Sequence, residues 1–392
     1  MEYPRLPAAG SMHQGPGSTM ADSLSALADD DIEACFAAGW TDGRPVVPPT
    51  RERVERMLGD WAPYRDEVIA VLDPGRGRAT VEKIAANAVM AGCLPQHLST
   101  VVEAVRAIAE PRFGLEDCVT TVHSVSPMLV VTGPVAEELG MNGGVNALGQ
   151  GNRATATIGR ALMLVIQNVG QGRPGGLDST TLGHPGKFGF CITESPESPW
   201  QHLHADRGLA PGDSAVTAYG ADAPFCICDF GKPTPEQLVE SLAHSLALPG
   251  SYNAFFRDEL WIVMSPEHAD ALARAGWSKA DAKQAFWEAA RIPAGVLKQR
   301  SLYGFADAVV VPEWYDGAQD GDLIPVCRRP EKVVVLCAGG PYGGYSAGIM
   351  GMGGSVTRRI EGPGKAEAAA PARPAVGSRE AAAAGAVEGA AA

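Results

Sequence analysis

The sequence lacks a long apolar run and a dense basic cluster. No stretch of about 18 apolar residues occurs among its 392 residues, so a membrane-spanning helix is not expected. The densest basic stretches are CRRPEK and TRRIE, and 45 acidic residues outnumber 32 basic ones, giving a net charge of -13. Because phosphate binding needs concentrated Lys and Arg, this composition disfavours a nucleic-acid partner and an anionic membrane surface.

The N-terminal stretch also lacks the apolar segment of a signal peptide. We predict a flexible arm over residues 1–21, with Met20 as an alternative start, and a cytoplasmic protein. In a reducing cytosol the eight cysteines are expected to be free thiols. Residues 362–392 are rich in Ala, Pro and Gly with almost no large apolar residue, which predicts a disordered tail.

The body between these ends alternates short β-branched runs with helical stretches, which is typical of an α/β fold. We expect a mixed or mostly parallel sheet flanked by helices, with long Gly/Asn-rich loops around 140–153, 170–187 and 339–354. We divide the body into a catalytic α/β region, 22–230, and a smaller α/β region, 231–361, packed on it. The sequence indicates no particular cofactor, and a homo-oligomer is compatible with it.

The expected elements follow from apolar periodicity and from helix start and stop signals. The predicted strands are EVIAVLD, CVTTVH, MLVVTG, SAVTAYG, FCICDF, LWIVMS, DAVVVP and KVVVLCA. The predicted helices cover residues 30–39, 51–59, 80–91, 95–109, 151–169, 235–247, 266–275 and 278–290.

Cys93 lies in the joint between two predicted helices, in the stretch AANAVMAGCLPQH. Gly92 ends the first helix and Pro95 begins the second, so the thiol is expected near a helix N-terminus, where the macrodipole lowers thiol pKa values. Lys83 and Asn87 share one face of the first helix and point towards a predicted pocket. Two interpretations stay open, because a free cysteine can equally be a small core residue.

The segment MNGGVNALGQGNRATATIGRA combines glycines with Asn146, Asn152 and Arg153 at the start of a helix. Exposed backbone amides there, together with these side chains, favour a carboxylate, phosphate or sulfonate. The segment matches neither GxGxxG after a strand nor GxxxxGK[ST], so it is not a nucleotide loop of a known kind. The alternative is a tight structural crossing.

The stretch GHPGKFGFCITES brings together His184, Lys187 and Cys191. If KFGFCIT is a strand, Lys187 and Cys191 share a face. The three side chains would then serve as a base, an anion clamp and a second thiol. The alternative is a surface loop entering a core strand.

A metal site is the competing hypothesis. His202 and His204 in WQHLHAD, and Cys226 and Cys228 in FCICDF, each form an i, i+2 pair that can point one way. A His2Cys2 set would suit zinc, although the usual CxxC spacing is absent.

Several stretches together resemble a bacterial family associated with proteins of the UGSC (seleno)protein group. They are DGRPVVPPT (42–50), ATVEKIAANAVMAGC (79–93), NALGQGNRATATIGRA (146–161), GHPGKFGFCITES (183–195) and PEHADALARAGWSKAD (266–281). The name-giving Cys/Sec-Gly-Ser-Cys motif is absent, which leaves a relative or a partner of these proteins. The resemblance implies a thiol-linked enzyme of small-molecule metabolism. It also implies that the candidate functional residues are Lys83, Asn87, Cys93, Asn146, Arg153, His184, Lys187 and Cys191.

The resulting hypothesis is a cytosolic thiol-dependent enzyme that cleaves or reduces a carbon–heteroatom bond in a small anionic metabolite. Cys93 is its expected nucleophile or redox thiol, Lys83 lowers the thiol pKa, and Asn87 orients the substrate. His184 is the expected general acid/base, and Arg153 and Lys187 clamp the anion. The alternatives are a zinc-dependent hydrolase or lyase, and a non-catalytic partner subunit of a thiol or selenoprotein system.

Overall fold

The computed structural model describes residues 31–231, 234–299, 314–341 and 343–364. The predictions for residues 1–21, for the strand DAVVVP at 307–312 and for the tail beyond residue 364 lie outside these ranges. No helix within them is long and apolar enough to cross a membrane.

Helices occur along the described chain from Asp31 to Gln299. In chain order these are α1 (Asp31–Ala37), α2 (Arg51–Leu58), α3 (Val81–Ala91), α4 (Leu98–Ala109), α5 (Leu115–Thr120), α6 (Pro134–Glu138), α7 (Arg153–Asn168), α8 (Leu203–Asp206), α9 (Pro235–Leu246), α10 (Tyr252–Phe256), α11 (Pro266–Arg274), α12 (Lys279–Ala289) and α13 (Ala294–Gln299). Short 3-10 turns cover Gly59–Tyr64, Pro95–His97, Pro185–Phe188 and Pro330–Lys332.

The strands alternate with these helices. In chain order they are β1 (Val68–Leu72), β2 (Gly77–Thr80), β3 (Ser126–Thr132), β4 (Cys191–Thr193), β5 (Ala215–Ala221), β6 (Phe225–Cys228), β7 (Leu260–Met264), β8 (Arg291–Pro293), β9 (Leu323–Pro325), β10 (Val333–Cys337), β11 (Tyr345–Ile349) and β12 (Gly351–Arg359).

Two four-stranded sheets form the centre of the fold. The first has the order β12-β5-β3-β4 and the second the order β10-β7-β11-β6. In the first only β3 and β4 are parallel, and in the second only β10 and β7 are parallel. The expectation of an α/β fold is therefore confirmed in its coarse form, and both sheets are mixed.

The two sheets pack face to face, because their strands are apolar on both faces. Inward side chains such as Val130 and Val334 form one buried layer, in which Tyr219 of β5 stacks on Trp261 of β7 with ring centroids 4.9 Å apart. The opposite face of the first sheet packs on α3, α4 and α7, and that of the second on α9, α11 and α12. The layers thus run helix, sheet, sheet, helix.

Helix ends follow the expected capping chemistry. Thr234 and Gln237 form a capping box, in which the Gln237 amide donates to Thr234 Oγ1 and the Thr234 amide donates to Gln237 Oε1. Gly92 ends α3 in the left-handed region at φ 91°, which a residue without a Cβ adopts without strain. All eight predicted helices are present.

The predicted strands agree with the structure less closely than the predicted helices do. CVTTVH at 118–123 is wrong, because residues up to Thr120 belong to α5, whose first turn contains Glu116 and Asp117. The segment 339–354, predicted as a loop, contains β11 and the start of β12. The six other predicted strands within the described residues are confirmed.

The division of the body at residue 230 stays a prediction. Each sheet takes strands from both sides of that residue: β6 precedes it and belongs to the second sheet, whereas β12 follows it and belongs to the first.

Candidate functional site

The Cys93 joint is closed. The thiol is only 6% exposed and donates a hydrogen bond to the Thr157 carbonyl of α7 at 3.3 Å. Burial raises the pKa of Cys93 to about 12, outweighing the Thr157 side chain, which can hydrogen-bond to the thiolate, and the nearby Arg153 charge, which both lower it. The predicted lowering of this pKa is therefore wrong: desolvation between α3 and α7 dominates the helix terminus.

The lysine expected to activate Cys93 is too far away, and the adjacent histidine is uncharged. Lys83 lies in the first turn of α3 and Cys93 lies beyond its last residue, Ala91, so the helix, at 1.5 Å per residue, separates them by about 12 Å. His97 is 1% exposed, its Nδ1 accepts a hydrogen bond from the Leu94 amide, and burial, with the Arg153 charge, lowers its pKa to about 4. The imidazole is thus neutral at physiological pH.

Asn87 stabilises the fold where a substrate contact was expected. It is fully buried, its Nδ2 donates to the Lys83 carbonyl at 2.9 Å, and its Oδ1 accepts from Asn168 Nδ2 at 2.9 Å. Nearby, Arg160 makes two 2.8 Å hydrogen bonds to the Asp42 carboxylate. The DGRPVVPPT and NAVMAGC stretches are therefore fastened to α7 by their polar side chains.

The predicted anion loop satisfies its own polar groups. Asn152 caps α7 by accepting from the Thr155 amide, and its Nδ2 donates to the Gly140 carbonyl. Asn146 Nδ2 donates to the Gln150 carbonyl, and Arg153 Nε donates to the Gly92 carbonyl at 3.0 Å. These contacts favour the alternative interpretation, a structural crossing, over an anion cradle.

A cavity of about 440 Å³ opens beside the joint. Its lining includes Gln96, Ser99, Glu138 and Glu361, and does not include Cys93. The two carboxylates have no cationic counterpart among the lining residues, so this cavity has the wrong charge for an anionic ligand.

Lys187 and Cys191 are not placed as predicted. Residues 185–188 form a 3-10 turn, and the strand begins only at Cys191, whose thiol is buried with a raised pKa. Lys187 Nζ bonds both Asp178 carboxylate oxygens, at 2.9 and 2.7 Å, and Thr180 Oγ1. Its charge is thus compensated within the protein, which removes the predicted anion clamp.

His184 leads to a group that the sequence did not single out. Its Nδ1 accepts from the Gly186 amide at 3.1 Å, its Nε2 lies 3.2 Å from the Ala221 carbonyl, and burial lowers its pKa. Within electrostatic reach lie His123 and Asp222, whose Nε2 and Oδ1 are 2.8 Å apart. We call His123, Asp222, His184 and Tyr252 the histidine cluster.

Tyr252 completes the histidine cluster. Its ring stacks on His123 with centroids 4.8 Å apart and an interplanar angle of 10°. Burial, reinforced by the carboxylates of Asp258, Asp117 and Asp222, raises the pKa of Tyr252 to about 12. Of the cluster, His123 and Asp222 each keep 23% of their side-chain surface exposed, whereas the atoms His123 Nδ1 and Asp222 Oδ1 are themselves buried.

The pairing of β3 with β5 brings His123 and Asp222 together. These strands are antiparallel with Ser126 opposite Ala221, so the residues just before β3 and just after β5 meet at one edge. A sequence signal existed: a histidine precedes the predicted strand MLVVTG and an aspartate follows SAVTAYG. Among the described residues His123 Nδ1 has no hydrogen-bond partner.

The structure does not bring the four ligands of the zinc alternative together. His202 and His204 follow β4, with His202 Nε2 near the Ser195 carbonyl and His204 buried, whereas Cys226 and Cys228 lie on β6 of the other sheet. The described ranges contain no group of three or more His, Cys, Asp or Glu side chains that could hold a metal ion.

The cysteines divide into two classes. Cys226 and Cys228 are exposed, and the others are buried, namely Cys35, Cys93, Cys118, Cys191, Cys327 and Cys337. Any thiol chemistry with a solvent-borne substrate is therefore better placed on β6 than at the joint.

Comparison with models of protein families, with curated proteins and with solved structures gives no match. The resemblance to the UGSC (seleno)protein group stays a prediction.

Proposed function

We propose that the protein is an enzyme that performs acid–base chemistry on a small polar metabolite at the histidine cluster. The observation that carries this proposal is the 2.8 Å contact of His123 Nε2 with Asp222, which leaves Nδ1 without a partner among the described residues. The proposal keeps the expected cleavage of a carbon–heteroatom bond and replaces the thiolate by an imidazole.

The 2.8 Å contact with the Asp222 carboxylate favours one tautomer of His123. A carboxylate only accepts, so Nε2 carries the proton and Nδ1 carries the lone pair. Nδ1 is buried, so a substrate has to displace the groups that cover it before Nδ1 takes its proton; the Asp222 carboxylate then stabilises the imidazolium that forms. Tyr252 stays protonated at neutral pH and can donate a hydrogen bond to a developing negative charge.

The charges around the histidine cluster favour a neutral or cationic substrate over the predicted anion. Asp117, Asp222 and Asp258 all act on Tyr252, and Lys187, whose charge reaches His184, is paired with Asp178. The stacked rings of Tyr252 and Phe256, 4.2 Å apart, add aromatic faces of the kind that bind ammonium groups. We therefore propose an amino- or hydroxy-substituted metabolite.

Turnover of a panel of amino- and hydroxy-substituted metabolites, followed by mass spectrometry, tests the proposal. Asp222→Asn keeps the shape of the pair but removes its charge, and His123→Gln removes the base. Each should lower kcat by about 10²–10⁴-fold. Glu138→Gln, in the cavity beside the Cys93 joint, should leave kcat unchanged.

Three outcomes contradict this assignment. Full activity in both cluster variants would show that the histidine cluster is not the site. Loss of activity in Glu138→Gln alone would move the site to the cavity. A wild-type protein that turns over no member of the panel would remove the proposed substrate class.

A second candidate is a partner subunit of a thiol or selenoprotein system, which the exposure of Cys226 and Cys228 favours. Among the described strands β6 lies at the edge of its sheet, so its outer backbone groups can pair with a strand of another protein. A purified protein whose Cys-Gly-Ser-Cys motif is oxidised to a disulfide should form a mixed disulfide with the wild type by thiol–disulfide exchange, one partner cysteine leaving as a thiolate. If the Cys226→Ser/Cys228→Ser double variant formed the same adduct, this result would contradict the partner role.

A further inference from the structure

Cys226 and Cys228 lie side by side on a regular stretch of β6. Cys226 pairs with Ala347 and Cys228 with Tyr345 in an unbroken antiparallel register, while Ile227 between them is buried on the other face. Both thiols therefore project from the same face of the strand, and both are exposed.

This spacing opposes a disulfide between the two cysteines. A strand rises about 3.3 Å per residue, so side chains at i and i+2 leave the backbone about 6.6 Å apart. A disulfide needs Cβ atoms about 3.5–4.5 Å apart, which would require the strand to buckle. A metal ion adds two metal–sulfur bonds of about 2.3 Å each, and so bridges thiolates that a direct sulfur–sulfur bond does not.

We propose that Cys226 and Cys228 form a two-thiolate site for a soft monovalent metal ion, Cu(I). Thiolates select soft ions, and Cu(I) is stable with two sulfur ligands, whereas zinc requires four ligands. The described residues supply no third His, Cys, Asp or Glu ligand to this pair. This site is independent of the acid–base function proposed above.

The surroundings of the pair suit such an ion. Tyr345 lies beside Cys228 across the ladder, and the Phe230 ring meets the Tyr345 ring edge-on with centroids 5.0 Å apart. Phe230 is 66% exposed and Tyr345 is 50% exposed, and their rings form an apolar surface next to the sulfurs. Binding replaces two thiol protons by one Cu⁺, so the bound group carries a single negative charge and two protons are released.

Anaerobic titration of the reduced full-length protein with Cu(I), in competition with a chromophoric Cu(I) chelator, tests the site. The wild type should bind about one equivalent, and Cys226→Ser and Cys228→Ser should each lose it, because one thiolate leaves the ion half-coordinated. Both side chains are exposed, so these variants should fold. Asp229→Asn and Tyr345→Phe are the matched controls and should still bind one equivalent.

Retention of Cu(I) by the Cys226→Ser/Cys228→Ser double variant would overturn the proposal. So would loss of binding in Asp229→Asn, since it would show an oxygen ligand in the site. Preference for zinc over Cu(I) would equally overturn it. Recovery of a Cys226–Cys228 disulfide after mild oxidation of the native protein would contradict the separation of the two sulfurs.

Discussion

The Cys93 joint and the β6 edge contain the same side chain in opposite surroundings. At the joint, α3 and α7 enclose the sulfur, the thiol donates a hydrogen bond to a backbone carbonyl, and its pKa rises to about 12. On β6 the two sulfurs face solvent from an edge strand. The difference shows that burial, which depends on distant elements, outweighs the local helix terminus in setting thiol reactivity.

The same contrast holds for the polar side chains around each region. Near the joint, Asn87, Asn152 and Arg153 all bond to groups of their own chain. At the histidine cluster, His123 keeps a ring nitrogen without a partner among the described residues. Side chains in distinctive stretches thus stabilise the fold, whereas the His123–Asp222 pair, which no motif marks, keeps polar atoms without a hydrogen-bond partner among the described residues.

The largest expected effect is a difference in thiol labelling. A thiol with a pKa of about 12 in place of 9.0 contains about 1,000-fold less thiolate at neutral pH. We expect iodoacetamide at pH 7.5 to alkylate Cys93 at least about 1,000-fold more slowly than an unstructured cysteine peptide, and Cys226 and Cys228 far sooner. Peptide mapping by mass spectrometry follows each site, and urea-unfolded protein is the control. Equal rates at Cys93 and Cys226 would break the comparison.

The next effect concerns stability. Asn87→Ala removes a buried amide and leaves Asn168 Nδ2 with one acceptor fewer, so it should lower the free energy of unfolding by about 2–3 kcal/mol. Urea unfolding measures this loss. Lys83→Ala, one turn earlier on the same face of α3, is the matched control and should change stability by less than about 0.5 kcal/mol. If Lys83→Ala lowered the free energy of unfolding more than Asn87→Ala, Asn87 would again be a candidate substrate contact.

Much of the fold could be predicted because helix signals are local. Thr234 and Gln237 specify the start of α9 within four residues, and Gly92 specifies the end of α3. β11 and β12 escaped prediction because glycine-rich strands carry little apolar alternation and are defined by their neighbours in the sheets. CVTTVH was mistaken for a strand because its β-branched residues outweighed the acidic first turn of α5.

The candidate site was harder to predict, because its chemistry depends on partners far away in sequence. Asn87 meets Asn168 and Cys93 meets Thr157, contacts that span 81 and 64 residues. Residue type and helix face could not show these partners, so buried structural groups were taken for reactive ones. His123 and Asp222 were within reach, because pairing the two flanking strands antiparallel is enough to join them.

The smallest expected effect is a pH dependence of stability that originates at the joint. Burial, followed by the Arg153 charge, lowers the pKa of His97 from 6.5 to about 4, so the folded state holds the imidazole neutral. Between pH 6.5 and about pH 4, His97 is protonated in the unfolded chain but stays neutral in the folded chain. Below about pH 4 it is protonated in both states. The stabilisation is therefore complete above pH 6.5 and is lost as the pH falls through this window.

His97→Asn isolates this term, since the amide oxygen can replace Nδ1 as acceptor for the Leu94 amide without titrating. Between pH 7 and pH 5 the wild type should lose about 2 kcal/mol more unfolding free energy than the variant, measured by urea unfolding at each pH. Other titrating groups are common to both proteins and cancel in the difference. Parallel pH profiles would mean that water reaches His97, and the joint would then be as open as the β6 edge.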